Sequence, residues 1–133
     1  MEGWVADVER ATLDNTTFRT VLFTGEHTQL TVMSLAPGED IGLEVHEDHD
    51  QFLRIEQGRG RVELSESEDS AGETQDVEDD WAIIVPAGIW HNVVNTGETE
   101  LKLYSLYAPP EHPPGTVHRT KAEAEAAERS HHG

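Results

Sequence analysis

Gly38-Glu39-Asp40-Ile41-Gly42-Leu43-Glu44-Val45-His46-Glu47-Asp48-His49-Asp50-Gln51-Phe52-Leu53-Arg54-Ile55-Glu56-Gln57-Gly58 reads as two short strands joined by a polar turn. Ile41, Leu43 and Val45 alternate with Gly42, Glu44 and His46, the periodicity of a strand over Ile41 to His46. Glu44 and His46 lie two apart and so share one face of it. Glu47-Asp48-His49-Asp50 supplies the turn, and Gln51 opens a returning strand, Gln51 to Glu56, from which it can face the same interior. A second stretch, Asp80-Trp81-Ala82-Ile83-Ile84-Val85-Pro86-Ala87-Gly88-Ile89-Trp90-His91-Asn92-Val93-Val94-Asn95, adds a buried strand, Trp81 to Val85, stopped by Pro86-Ala87-Gly88. His91 follows that turn at the start of another strand. Glu44, His46, Gln51 and His91 can therefore converge inside a small β barrel or sandwich, as nitrogen and oxygen donors suited to a first-row divalent ion.

Outward from these stretches the alternation continues. Phe18 to Phe23 and Gln29 to Leu35 flank Thr24-Gly25-Glu26-His27-Thr28 as a hairpin, and Gly58-Arg59-Gly60 reverses the chain into Arg61 to Leu64. Leu101 to Tyr107 alternates until Pro109-Pro110. Ser65 to Asp80, centred on Ala71-Gly72, is acidic and reads as a solvated hairpin tip; a calcium site is the alternative, but the spaced ligands and closing Glu of an EF-hand are missing. One helix is expected, Lys121 to Arg129, opened by the capping box Thr120 and Glu123 and poor in large apolar residues, hence peripheral. With no repeat and no linker, residues 1–133 are expected to form one domain with its motif core at 38–95 and a proline-rich segment and helix at 108–130.

The two stretches resemble the motifs of the cupins. The first cupin motif runs Gly, five residues, His, one residue, His, three or four residues, Glu, six residues, Gly. Here Gly38, Glu44, His46, Gln51 and Gly58 stand at those positions. The second runs Gly, five residues, Pro, one residue, Gly, two residues, His, three residues, Asn, and Asp80, Pro86, Gly88, His91 and Asn95 occupy it. Three residues depart from the pattern: Glu44 replaces a histidine, Gln51 the usual glutamate, and Asp80 a glycine. The resemblance implies an all-β jelly-roll barrel (a double-stranded β-helix) with a short C-terminal helix. It also implies a metal site of Glu44, His46, Gln51 and His91 for Zn, Mn, Fe, Ni or Co. The proline-rich segment from Tyr104 to Thr120 is similar to that of small cupins described as mannose-6-phosphate isomerase-like, and small cupins resemble homodimers. Trp4, Val5 and Leu13 are then candidates for a subunit contact.

Nine Lys+Arg against 27 Asp+Glu give a formal charge of −18, which repels phosphate backbones and anionic membranes, so neither is an expected partner. Only Lys102 and Lys121 are lysines; acidic, lysine-poor surfaces of this kind suit concentrated salt, although an ordinary acidic protein has the same composition. Without cysteine there is no thiolate nucleophile and no disulfide. The N-terminus lacks a basic and an apolar region, and no stretch has the roughly 18 apolar residues that cross a bilayer, so a cytoplasmic location is expected.

Three functions compete. A sugar or sugar-phosphate isomerase uses the ion as a Lewis acid, with Glu44 as ligand or as the base that moves the proton. Against it, the predicted interior offers no obvious basic group for phosphate. An Fe(II) dioxygenase uses His46, His91 and Glu44 with open positions for substrate and dioxygen. A non-catalytic barrel captures a small ligand without turnover. Gln51 either ligates the ion or orients a molecule bound to it. His49 is expected in the loop near the mouth, with a proton-shuttle role as its alternative. His112 and His118 can approach the site if the proline-rich segment crosses the mouth, but lack a third ligand for a second metal. Trp90 and Arg54 are expected to face away from the site, Asn95 to satisfy backbone groups at a turn, and His131 and His132 to belong to a frayed terminus.

Overall fold

The computed structural model describes residues 3–70 and 72–132, the last four by backbone alone, so the side chains of His131 and His132, and all of Ala71, lie outside the described residues. The chain runs α1 (Val8–Asp14), β1 (Arg19–Thr24), β2 (Gln29–Leu35), β3 (Asp50–Gln57), β4 (Arg59–Ser65), β5 (Glu73–Glu78), β6 (Ala82–Val85), β7 (Trp90–Asn95), β8 (Leu101–Ala108), β9 (Val117–His118) and α2 (Lys121–His132). A six-stranded sheet has the order β6-β3-β8-β2-β1-β9, and a three-stranded sheet the order β5-β4-β7. All the strand pairs are antiparallel. Met33, Leu35, Leu53, Ile55, Leu101 and Leu103 from the larger sheet meet Val62, Val77 and Val93 from the smaller in one buried cluster. This is the all-β arrangement that the alternating pattern predicts, in the jelly-roll form that the resemblance implies.

β2, β3 and β8 form where β propensity and alternation agree. In β3, Gln51, Leu53 and Ile55 are buried while Phe52, Arg54 and Glu56 are only partly so, the signature of a strand with one face on the core. Outside it, Arg54 pairs with Asp80 at 3.1 Å and Glu56 at 3.2 Å, so it does face away from the interior.

Ile41 to His46 does not form the regular strand expected. It runs antiparallel to β7 through isolated bridges, Asp40 opposite Val94 and Glu44 opposite His91. The interruption falls at Gly42, whose φ of +96° turns the ladder aside; its N–H donates instead to Asn92 Oδ1 at 3.1 Å. The acidic segment also carries more structure than a hairpin tip. Glu73–Glu78 pairs with β4 as β5, exposed except for Val77, and the tip shrinks to the residues between Ser65 and Glu73.

α1 was not expected. Its apolar content is too small for a helical stripe, but Asp7 accepts a hydrogen bond from Arg10 N at 3.1 Å as N-cap, and Thr12 is buried. α1 packs on β8, β3 and β2, and Lys102 Nζ donates to Leu13 O and Asn15 O at 2.9 and 2.6 Å to hold it there. Of the residues expected at a subunit contact, Val5 is exposed, whereas Trp4 and Leu13 are half-buried. α2 starts at the expected box, with Glu123 N donating to Thr120 Oγ1 at 3.1 Å, and among residues 122–128 it is exposed apart from Ala124, which joins the core cluster. No helix among the described residues is long and apolar enough to cross a membrane.

Asp80 takes φ +72°, a conformation that Asp tolerates better than most residues, and this accounts for its standing where the motif has glycine. Asn95 behaves as expected of a turn residue. Its Nδ2 donates to Leu35 O at 2.9 Å and Thr99 O at 2.8 Å, and its Oδ1 accepts from Gly97 N at 2.9 Å. Asn95→Ala strands the buried Leu35 O and removes the bonds to Thr99 O and Gly97 N, so urea denaturation is expected to show a loss of about 1–3 kcal/mol. An unchanged urea midpoint would mean that water replaces the amide at no net loss.

Candidate metal centre

The site begins with a backbone lock. Glu44 N donates to His91 O at 3.0 Å and His91 N to Glu44 O at 2.9 Å, an exchange that sets the two residues directly opposite each other. Gly88 N donates to His46 O at 2.9 Å, which ties the turn before β7 to the same segment. Glu44 Oε1 then lies 3.4 Å from His46 Nε2 and 3.5 Å from His91 Nε2, and the two imidazole centroids are 5.4 Å apart. One ligand atom from each of Glu44, His46 and His91 falls within 4.8 Å of the others.

Both Nε2 atoms are buried without a hydrogen-bond partner, and His91 has 0 % of its surface exposed. Unpaired buried nitrogens are costly unless something binds them. His91 Nδ1 lies 3.3 Å from Ile89 O, so in a metal-bound form a proton on Nδ1 would donate there and leave the Nε2 lone pair for the ion. Two imidazole nitrogens and one carboxylate oxygen facing inward fit a divalent ion. Burial alone lowers an imidazole pKa, but Glu44 and then Glu111 outweigh it and hold His46 above its usual value. Burial likewise opposes ionisation of Glu44, yet His46 and His91 outweigh it and keep the carboxyl well below the carboxylate range.

Gln51, 2 % exposed, sits in β3. Its Nε2 donates to Ser105 Oγ at 2.7 Å, which fixes the amide and leaves Oε1 buried without a partner. A carbonyl oxygen in that state can ligate an ion or orient a molecule bound to one.

His49 is at the mouth as expected. Its Nε2 is 3.1 Å from Pro110 O and 3.3 Å from Glu111 Oε2, and Glu111 Oε2 is also 3.6 Å from His46 Nδ1. Glu111 reaches this place because buried Gln29 grips the proline-rich segment. Gln29 Oε1 accepts from Glu111 N at 3.1 Å and His112 N at 2.9 Å, and its Nε2 donates to His112 O at 2.7 Å. The segment thus crosses the mouth. The His112 ring stands 5.3 Å from that of Tyr107, which stands 5.7 Å from that of His46. Burial pushes the Tyr107 phenol up to about 12, so it stays protonated at neutral pH.

A cavity of about 630 Å³ opens beside this group, with Arg19, Glu44, Glu111, His112 and His118 in its wall. Arg19 corrects the expectation of an interior without a basic group: it is 7 % exposed and lines the cavity. Nothing local distinguishes it in sequence, since a charged residue in a strand ordinarily points to solvent. Gln29 and Glu111 were missed because their partners are distant in sequence: Gln29 bonds Glu111 and His112, 82 and 83 positions away, and Glu111 meets His46 and His49 only through the fold. A second metal on His112 and His118 is not supported, because the Arg19 cation shares their cavity and no third ligand joins them among the described residues.

Residues 31–107 match the model of the Cupin domain. The chain belongs to the cupin family. This cupin is 63 % identical over 125 residues to YrkC, an uncharacterised protein of Bacillus subtilis strain 168, covering 94 % of this chain and 67 % of that one. It is 54 % identical to BH2720 from Bacillus halodurans, whose crystal structure superimposes with a TM-score of 0.93 over 94 % of this cupin and 95 % of that chain. KdgF from Halomonas sp. shares the fold at 22 % identity, with a TM-score of 0.62 over 70 % of this cupin and 78 % of that chain.

Proposed function

We propose that this cupin binds a divalent transition-metal ion through Glu44, His46 and His91, with Gln51 as fourth ligand or as the group orienting a bound molecule, and that it transforms a small polar substrate. The observation that carries the reading is the pair of buried, unpartnered Nε2 atoms facing one carboxylate oxygen. A bound ion supplies Lewis acidity to a hydroxyl or carbonyl oxygen of the substrate. The first reading of the reaction is isomerisation of a sugar or sugar phosphate, in the manner of the mannose-6-phosphate isomerase-like cupins. In it the ionised Glu44 carboxylate, when it is off the ion, accepts the proton from the hydroxyl-bearing carbon beside the carbonyl and returns it to the former carbonyl carbon, while the hydroxyl proton passes to the former carbonyl oxygen. Gln29 and Glu111 hold the proline-rich segment across the mouth and limit water there, while Tyr107 remains a donor. A cytoplasmic homodimer acting on a small molecule is the setting this reading assumes.

The two-histidine, one-carboxylate donor set favours a second reading, an Fe(II)-dependent dioxygenase. Mass-spectrometric metal analysis of protein purified without oxygen tests the site first, with about one ion per chain expected. Iron together with oxygen uptake on a catechol, thiol or diketone selects the dioxygenase; zinc or manganese with anaerobic sugar interconversion selects the isomerase. Protein that holds no ion after reconstitution sinks both, and a ligand-binding barrel without turnover takes their place.

A further inference from the structure

Arg19 is a buried cation without an anion. Among the described residues no carboxylate lies within ion-pairing distance of its guanidinium, its side chain makes no hydrogen bond, and its Nε is buried without a partner. The Phe18 ring lies 5.3 Å from its guanidinium carbon. This is unexpected in a chain with three acidic residues for every basic one, where a carboxylate could readily have been placed beside it. An uncompensated buried charge is strongly unfavourable, and the compensation is normally a paired counter-charge.

His118 faces Arg19 across the β1–β9 pairing, and His112 stands on the segment that Gln29 clamps. His112 Nε2 and His118 Nδ1 are likewise buried without partners. Burial and then Arg19 push His112 down to about 3 and lower His118, so at neutral pH both rings are uncharged, each with one N–H to donate. The three residues that carry these unpartnered nitrogens line one cavity, of a volume suited to a small organic molecule. Glu44 lines the same cavity, which joins the Arg19 end to the metal ligands.

We infer that Arg19, assisted by His112 and His118, binds the oxyanion, carboxylate or phosphate, of a small molecule whose other end reaches Glu44. The guanidinium offers a forked pair of donors that matches either anion, and the interior setting strengthens each contact. The link to catalysis rests on the proposed metal-dependent function; the anion site itself needs only Arg19 and the cavity. It makes the substrate an anionic small molecule and not a neutral sugar.

The test uses full-length, ¹⁵N-labelled protein in EDTA, titrated with inorganic phosphate, glycolate and, as the neutral match, glycolamide. Phosphate or glycolate is expected to shift the Arg19 Nε–H resonance saturably, and glycolamide is not. Arg19→Gln weakens the binding by about 10- to 100-fold in calorimetry, and Arg19→Lys recovers only part of it. A response to phosphate alone identifies a phosphate ligand, and a response to glycolate alone a carboxylate. An Arg19 resonance indifferent to both anions in the wild-type protein overturns the inference even if the variants fail to fold. So does wild-type affinity in a folded Arg19→Gln. Because the titration is run without metal, absence of an ion in the purified protein bears on the proposed function and leaves this result intact.

Discussion

His91→Ala is expected to purify with essentially no metal where the wild type holds about one ion per chain. His91 is fully buried, its backbone is locked to Glu44 by two hydrogen bonds, and its ring is steadied by Ile89 O, so it is a fixed member of the site. Losing an outer partner of a metal ligand typically lowers affinity about 10- to 100-fold, and losing the ligand itself is expected to exceed that range. His46→Ala should behave alike. The same ion provides a stability readout. At a concentration 100 times its dissociation constant a ligand specific for the native state adds about 2.7 kcal/mol, so EDTA should lower the melting temperature of the wild type. Neither variant should respond to EDTA. Comparing each protein with and without chelator separates this effect from the cavity left in the core. If His91→Ala retains a full equivalent of metal, the ion sits elsewhere and the assignment of Glu44, His46 and His91 is wrong.

What the sequence disclosed about this centre follows from distance along the chain. Glu44 and His46 share a segment, and His91 has its place after Pro86 and Gly88, so spacing alone brought them forward. The strands β3 and β8 were legible because alternation is a local property and each has one face on the core, and β2, buried along its whole length, still carries an apolar, β-branched run. Gly42 hid the true form of the Ile41 to His46 segment: alternation survives a bulge, but a regular ladder does not. α1 was silent because a capped, seven-residue helix lying on the outside of a sheet needs little apolar content. Arg19 and Glu111 could not be read at all. Their roles arise when the proline-rich segment, pinned by Gln29, closes over β1 and the Glu44 segment, and no short window of sequence contains that encounter.

Leu53→Ala is expected to destabilise the barrel by about 2–5 kcal/mol, the usual range for truncating a fully buried leucine. Leu53 is 0 % exposed in the middle of β3, where its neighbours across the ladder are Ile83 of β6 and Ser105 of β8. It points into the cluster shared by both sheets, so the void has rigid strands on either side and little freedom to collapse. Since domains are commonly stable by only about 5–15 kcal/mol, such a loss removes a large part of the margin. Urea unfolding should show a lower midpoint with an unchanged slope, the sign that the native state and not the denatured one has been altered. Ile84→Ala is the matched control one strand away. Ile84 is 67 % exposed on β6, and its truncation should stay within about 0.5 kcal/mol. The contrast also reaches the metal centre, because Gln51 and Leu53 lie on the same face of β3. Loosening the strand at Leu53 should weaken the Gln51–Ser105 bond that aims Oε1, and metal affinity should fall modestly in Leu53→Ala but not in Ile84→Ala. Equal losses of stability in the two variants would contradict the assignment of Leu53 to the core and Ile84 to the surface.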